Sequence, residues 1–331
     1  MSLALLESDQ VESAANGLDY FVLDVFTETR LEGNPLAVFL NPGSLSTETM
    51  QAIARETNLS ETTFVERRDP EIEQSEGVLV RIFTTEEELP FAGHPTLGTA
   101  SLLRAIAPEC MAGDTVKLVL KVGSVPVRFE PQNHTWPAKG TMTQRDPEFG
   151  AKLDAAEVAS LTGLDVEDFD PARPIQIVST GTAFAIVPLR SSAPLARLRV
   201  RQEEASAFLR ARGARWFYVL GPEAALHASE AATDLPRWRA RMQFNGGEDP
   251  ATGSAAGCAI SHLVRHGAVA PNQTICVRQG VEIARPSQIF LSAGQSDPLE
   301  IPNPEPGSVE VSNVRVGGST ILVAKGRLFL P

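Results

Sequence analysis

The chain states one pattern twice, and that repetition limits the folds open to it more than any other feature. Around Gly93 the order is Val80-Arg81-Ile82-Phe83, an acidic stretch, then Gly93-His94-Pro95-Thr96-Leu97-Gly98 and an apolar run of helical character. Around Gly253 it is Arg241-Met242-Gln243-Phe244, then Glu248-Asp249, then Gly253-Ser254-Ala255-Ala256-Gly257 and another such run. A second pair lies upstream, Ser60-Glu61-Thr62-Thr63-Phe64-Val65 and Thr180-Gly181-Thr182-Ala183-Phe184-Ala185, which sets Glu61 against Gly181. Two related halves facing each other form a nearly symmetric cleft with an asymmetric set of acids and bases.

Local patterns fill in the halves. Tyr20–Phe26 is a β-rich run, Glu32-Gly33-Asn34-Pro35 a turn and Leu36–Leu40 a buried strand. Ser46–Asn58 is helical, with Ser46 or Thr47 as cap and Met50, Ile53 and Ala54 on one face. Thr62–Val65 and Val78–Phe83 are strands; Pro95 suits the first turn of a helix reaching about Ala105. Val116–Val122 and Val125–Phe129 make a hairpin around Gly123-Ser124. In the second half, Ala155–Thr162, Glu203–Arg212 and a run from Gly253 to His266 are helical. Ile175–Val178, Ala183–Val187, Trp216–Leu220, Trp238–Phe244, Ile275–Val277, Ile289–Leu291, Val309–Val316 and Ile321–Phe329 are strands. The last strand is expected to return to the first domain, and Pro131–Gly150 is the loosest stretch and the expected junction.

With 331 residues and 43% hydrophobic content the chain can bury one large or two medium cores. A formal charge of -12 argues against general attraction to nucleic acid or an anionic membrane, so an anionic substrate needs a local device. Cys110, Cys258 and Cys276 are few and widely spaced, without metal or CxxC spacing, which points to a reducing, cytoplasmic setting. No apolar run reaches transmembrane length, and residues 1–17 read as a mobile tail.

The two glycine turns suit anion binding. A turn that opens a helix leaves backbone N–H groups unpaired, the helix dipole favours negative charge there, and glycine admits close approach. The alternative is an ordinary helix start with a small-residue cap. Neither turn is a Walker loop or a Rossmann fingerprint. Glu61 stands either on the surface or at the interdomain space, where burial raises its pKa and lets it exchange protons near neutrality. Asp249 is a second acid or a helix cap, and His94 a proton shuttle or a cap. His262 and His266 have helical spacing but lack the glutamate of the zinc-protease motif, so no metal site is expected. Thr252-Gly253-Ser254 lacks a base partner, which disfavours a hydrolase. Arg81 and Arg241 are solvated strand residues or hold acids in place.

Four segments carry a family resemblance: Leu31-Glu32-Gly33-Asn34-Pro35-Leu36-Ala37-Val38-Phe39, Asn58-Leu59-Ser60-Glu61-Thr62-Thr63-Phe64-Val65, Glu88-Leu89-Pro90-Phe91-Ala92-Gly93-His94-Pro95 and Glu248-Asp249-Pro250-Ala251-Thr252-Gly253-Ser254-Ala255-Ala256-Gly257. On these the chain resembles, from about Tyr20 to Phe329, the PhzF family of phenazine-biosynthesis-like isomerases, within the diaminopimelate epimerase-like superfamily. The resemblance implies an α+β fold of two similar domains related by a pseudo-twofold, each a mixed, mostly antiparallel sheet curled around a central helix. Residues 18–146 plus 320–331 would form the first and 147–319 the second, with the site between them and the protein a homodimer.

The resemblance further implies that Glu61 is the general acid/base and that His94 and Asp249 assist it. The backbone at Gly93, His94, Gly253 and Ser254 would hold a substrate carboxylate, with Asn34 and Ser60 also at the pocket. The phenazine enzyme moves a proton between carbons of trans-2,3-dihydro-3-hydroxyanthranilate. The implied activity is a cofactor-independent isomerisation of a small carboxylate, with no metal, nucleic acid or membrane involved. Two departures bear on it. Superfamily epimerases place a cysteine on each side of the cleft, where this chain has Ala92 and Thr252, and Gly181–Ala185 departs from the Asn-Gly turn of the phenazine enzyme. An amino-acid or hydroxy-acid epimerase, and a non-catalytic carboxylate-binding protein, are the alternatives.

Overall fold

A computed structural model describes residues 17–131, 136–223, 235–244, 246–295 and 310–330. The first half runs β1 (Gly17–Val25), β2 (Asn34–Leu40), α1 (Thr47–Thr57), β3 (Glu61–Glu66), α2 (Pro70–Ser75), β4 (Val78–Phe83), β5 (Glu88–Leu89), α3 (Gly93–Ile106), β6 (Thr115–Leu120), β7 (Gly123–Phe129) and β8 (Ala138–Thr143). The second runs β9 (Glu148–Lys152), α4 (Ala155–Thr162), β10 (Gln176–Ser179), β11 (Ala183–Pro188), α5 (Gln202–Arg210), β12 (Trp216–Pro222), β13 (Arg237–Arg241), β14 (Gln243–Phe244), β15 (Gly247–Glu248), α6 (Gly253–Arg265), β16 (Ile275–Gln279), β17 (Ser287–Gln295) and β18 (Val311–Phe329).

The fold is α+β, and its first half is a closed barrel of eight strands, β1-β2-β3-β4-β6-β7-β8-β18, sealed where β18 returns to β1. Closure leaves those strands without free edges. Helix α3 touches β6, β8, β1, β18, β2, β3 and β7, and so fills the barrel. Its apolar residues Leu97, Leu102 and Leu103 are fully buried, as a helix surrounded by sheet requires. Gly98 lets it approach Leu36 and Val25, whose side chains a Cβ there would meet at 2.6 and 2.8 Å.

The second strand set runs β18-β17-β16-β13-β12-β11-β10-β9, and α6 packs on β18, β17, β11 and β10. The two sets form one continuous sheet through β18. Residues 311–317 of that strand pair β17, while 320–329 pair β1. Strand directions recur. In the first half β2/β3 and β4/β6 are parallel while β1/β2, β3/β4, β6/β7 and β7/β8 are antiparallel. In the second, β11/β12 and β13/β16 are parallel while β10/β11, β12/β13, β16/β17 and β17/β18 are antiparallel.

Most expected elements are present, with corrections. The expected strands Val309–Val316 and Ile321–Phe329 are one strand over Val311–Phe329, because Gly317, Gly318, Ser319 and Thr320 pair with β8; residue 309 lies outside the described residues. The β6/β7 hairpin turns at Lys121-Val122, since Leu120 pairs Gly123. The stretch Pro131–Gly150, read as the loosest of the chain, contains β8 and the start of β9. Gly17 opens β1 opposite Phe329, so the expected tail overruns by one residue; its residues 1–16 lie outside the described residues. Cys110, Cys258 and Cys276 are buried free thiols, each pushed up to about 11 by burial. Among the described residues no helix is long and apolar enough to cross a membrane.

Candidate active site

Strand register fixes which residues of the two halves correspond. In the parallel pair β2/β3, Leu36 stands opposite Glu61; in β11/β12, Phe184 stands opposite Trp216. Leu36 and Phe184 each lie three residues after a glycine, Gly33 and Gly181. The next strands agree, with Phe64 opposite Arg81 and Val219 opposite Arg241. The counterpart of Glu61 is therefore Trp216, and Gly181 matches Gly33. This corrects the pairing of Glu61 with Gly181. Both segments are buried β starts beside small polar residues, which makes them look alike in sequence although one precedes and the other follows a helix of its half.

The two arginines hold acids. Arg81 donates Nε and Nη2 to Glu88 at 2.8 and 2.7 Å, and Arg241 does the same to Glu248 at 2.9 and 2.5 Å. These forks lock β4 to β5 and β13 to β15, and they set the segments leading to Gly93 and Gly253. Counting on from Glu88 and Glu248, Asp249 corresponds to Leu89, Thr252 to Ala92 and Ser254 to His94.

Four of the expected residues meet directly. Asn34, fully buried at the start of β2, donates Nδ2 to Asp249 Oδ1 at 2.7 Å and to the Ala251 carbonyl at 2.9 Å. The same nitrogen lies 3.3 Å from His94 Nδ1, which is 3.6 Å from Glu61 Oε2. Asp249 Oδ2 accepts the Thr252 hydroxyl at 2.7 Å. The Glu61 side chain keeps 17% of its exposure and is not sealed from solvent.

Electrostatics separate the three titratable groups. Burial, then the nearby Asp249 charge, holds the Glu61 carboxyl well above the usual carboxylate range. Burial also raises Asp249, but hydrogen bonds from Thr252, Asn34 and the Ala251 backbone oppose it. Asp249 is therefore the ionised partner and Glu61 the proton holder. Burial lowers His94 to about 3, so the ring beside Glu61 is neutral imidazole. His94 Nε2 and Asn34 Oδ1 are buried without a protein hydrogen-bond partner.

The glycine turns converge. A Cβ on Gly93 would lie 2.9 Å from Gly253 C and Ser254 N, so the first turns of α3 and α6 abut backbone to backbone. Ser46, Asp69 and Asp154 cap α1, α2 and α4 with their side chains; Ala92 and Thr252, like Arg201 before the surface helix α5, do not cap theirs. The first turns of α3 and α6 thus meet without side-chain caps on their N–H groups. Ser60, half-buried, precedes Glu61 in the same corner.

A family model described as phenazine biosynthesis-like protein matches residues 23–326. The chain belongs to the phenazine biosynthesis-like protein family. Among its relatives is the trans-2,3-dihydro-3-hydroxyanthranilate isomerase of Pseudomonas aeruginosa, 36% identical over 314 residues, covering 94% of this chain and 99% of that one. A solved structure from the same organism, titled a predicted epimerase, is 32% identical with a TM-score of 0.74 and covers 95% of this chain and 100% of that one. A hydroxyproline epimerase from Agrobacterium vitis shares the fold, with a TM-score of 0.59 at 11% identity, covering 95% and 93%.

Two expectations resolve differently from the rest. His262 Nε2 lies 2.8 Å from the Pro174 carbonyl and His266 Nε2 lies 3.0 Å from Gln176 Oε1, so this phenazine biosynthesis-like chain uses the pair to tie α6 to β10. Thr252 spends its hydroxyl on Asp249. Gln279 and Tyr218, which hold this corner from behind, escape sequence reading because they carry no motif and lie on other strands.

Proposed function

We propose that the protein is a cofactor-independent isomerase that moves a proton on a small carboxylate substrate, with Glu61 as general acid/base. The observation that carries this reading is the asymmetry of the cleft. Glu61 and Asp249 stand together with His94 and Asn34, whereas their counterparts in the other half are Trp216 and Leu89. One side can exchange protons and the other cannot. The uncapped helix starts at Gly93 and at Gly253-Ser254 would fix the carboxylate, and that fixes the reacting C–H beside Glu61. Glu61 takes the proton and returns it at another carbon of the same face. His94 Nε2 and Asn34 Oδ1 are the polar atoms free to meet the substrate.

A two-thiol epimerase is disfavoured because the residues flanking the two glycines are Ala92 and Thr252. The names of the 36% identical relatives support isomerisation and make trans-2,3-dihydro-3-hydroxyanthranilate the first compound to test. The same reading includes two domains, 18–146 plus 320–331 and 147–319, related by a pseudo-twofold. The recurrence of strand directions and the change of partners along β18 support it. It also includes a cytoplasmic homodimer. Incubation with that compound, followed by proton NMR, tests the activity: a rearranged product supports it, and an unchanged spectrum across a panel of small carboxylates counts against it.

A further inference from the structure

Behind Asp249 runs a chain of buried hydrogen bonds whose directions are forced. Gln279, fully buried at the end of β16, faces the Asp249 carbonyl with Nε2 at 2.8 Å and the Thr252 N–H with Oε1 at 3.2 Å. A carbonyl needs a donor and an N–H an acceptor, so these two backbone groups leave only one orientation for the amide. The second hydrogen of Nε2 then points to Thr252 Oγ1 at 2.9 Å, and Oε1 also accepts the Tyr218 hydroxyl at 3.1 Å. Thr252 Oγ1, already accepting, must direct its own hydrogen to Asp249 Oδ2 at 2.7 Å. Asn34 serves the other oxygen.

We propose that Gln279 is a positioning residue, which turns the Thr252 hydroxyl proton onto Asp249 and so keeps that carboxyl the ionised neighbour of Glu61. The proposal rests on Glu61 being the acid/base group, and it adds Gln279, Thr252 and Tyr218 to the assembly that sets its protonation. The titratable groups facing this corner are Glu61, His94, Tyr218, Cys258 and Glu248, the last paired with Arg241. His94 is neutral, and burial with the nearby Asp249 and Cys258 charges drives the Tyr218 hydroxyl far up, so it stays a donor. The acid pair alone responds to the direction of the Thr252 hydrogen. The hydroxyl stabilises ionised Asp249, and ionised Asp249 raises Glu61.

The test is a carbon-13 NMR titration of protein labelled at the aspartate and glutamate carboxyls, with Glu61→Gln and Asp249→Asn assigning the two signals. In Gln279→Leu and Gln279→Met, which have no donor for Thr252, the Asp249 midpoint rises by about one pH unit, the size a single hydrogen bond to a charged group commands. The Glu61 midpoint falls. Thr252→Val keeps the volume and removes the hydroxyl, with the same two shifts, so the test survives if the Gln279 variants do not fold. Unmoved midpoints in any folded variant of the three overturn the proposal, even where the melting temperature drops. The titration needs no turnover. Should Glu61→Gln retain full activity while the midpoints move, the function falls and the network stands.

Discussion

Glu61 and Asp249 form one coupled acid pair, and the substitution of either is read through the other. Asp249→Asn removes the like charge that helps hold Glu61 above the usual carboxylate range. Glu61 then ionises at lower pH. Because Glu61 must be ionised to take the substrate proton, kcat/KM rises with pH through its titration. The acid limb of that profile shifts to lower pH in Asp249→Asn, and a pH-rate profile checks it. A limb that stays in place would detach Asp249 from the base. At this scale the sequence was legible where chemistry and motif coincide, at Glu61, His94, Asp249 and Asn34. Whether Asp249 capped a helix or stood beside Glu61 was open; its carboxylate accepts from Asn34 and Thr252, and α6 has no side-chain cap. Gln279 and Tyr218 were illegible because only the fold brings them to Thr252.

The two helix starts are the elements proposed to hold the substrate carboxylate, and their contact is backbone on backbone. Gly93→Ala would place its methyl carbon 2.9 Å from Gly253 C and Ser254 N, which cannot rotate away. Overpacking of this kind costs about 1–3 kcal/mol. It separates the N–H groups proposed to hold the carboxylate, so both the melting temperature and kcat/KM fall. Gly253→Ala meets chiefly the Phe26 ring, at 3.1 Å, and a ring yields more readily than a main chain. We expect the milder loss there, and thermal melts with kinetics on both variants check the order. Both helix starts were readable from their glycines, and the acids before them from Glu88 and Glu248. The partner of Glu61 was not. Thr180-Gly181-Thr182 resembles Ser60-Glu61-Thr62 in composition, and only the register of β11 against β12 reveals Trp216 in that place.

Across the whole molecule, β18 closes the barrel on β1, and the interiors of both halves bury groups that must stay neutral. Burial lowers His262 from 6.5 to about 3, and His94 likewise to about 3. A depressed folded value means that the unfolded chain binds protons first as pH falls. Stability is thus complete above about 6.5 and declines toward 3, by about 1.4 kcal/mol per pH unit for each histidine. Melting curves from pH 7 to pH 4 should show this slope, and His262→Gln should flatten it by one histidine's share; an unchanged slope contradicts the assignment. The last strand was expected to return to the first domain, and it pairs with β1; it was read as two strands, because Gly317-Gly318 interrupts the β-rich pattern. The central claim is a cleft with one working face, and proton NMR in deuterated water tests it most directly. With trans-2,3-dihydro-3-hydroxyanthranilate heading a panel of small carboxylates, the protein should rearrange a substrate and introduce deuterium at the carbon that receives the proton. Glu61→Gln should bind the same compound and do neither. Full turnover by Glu61→Gln would contradict the account.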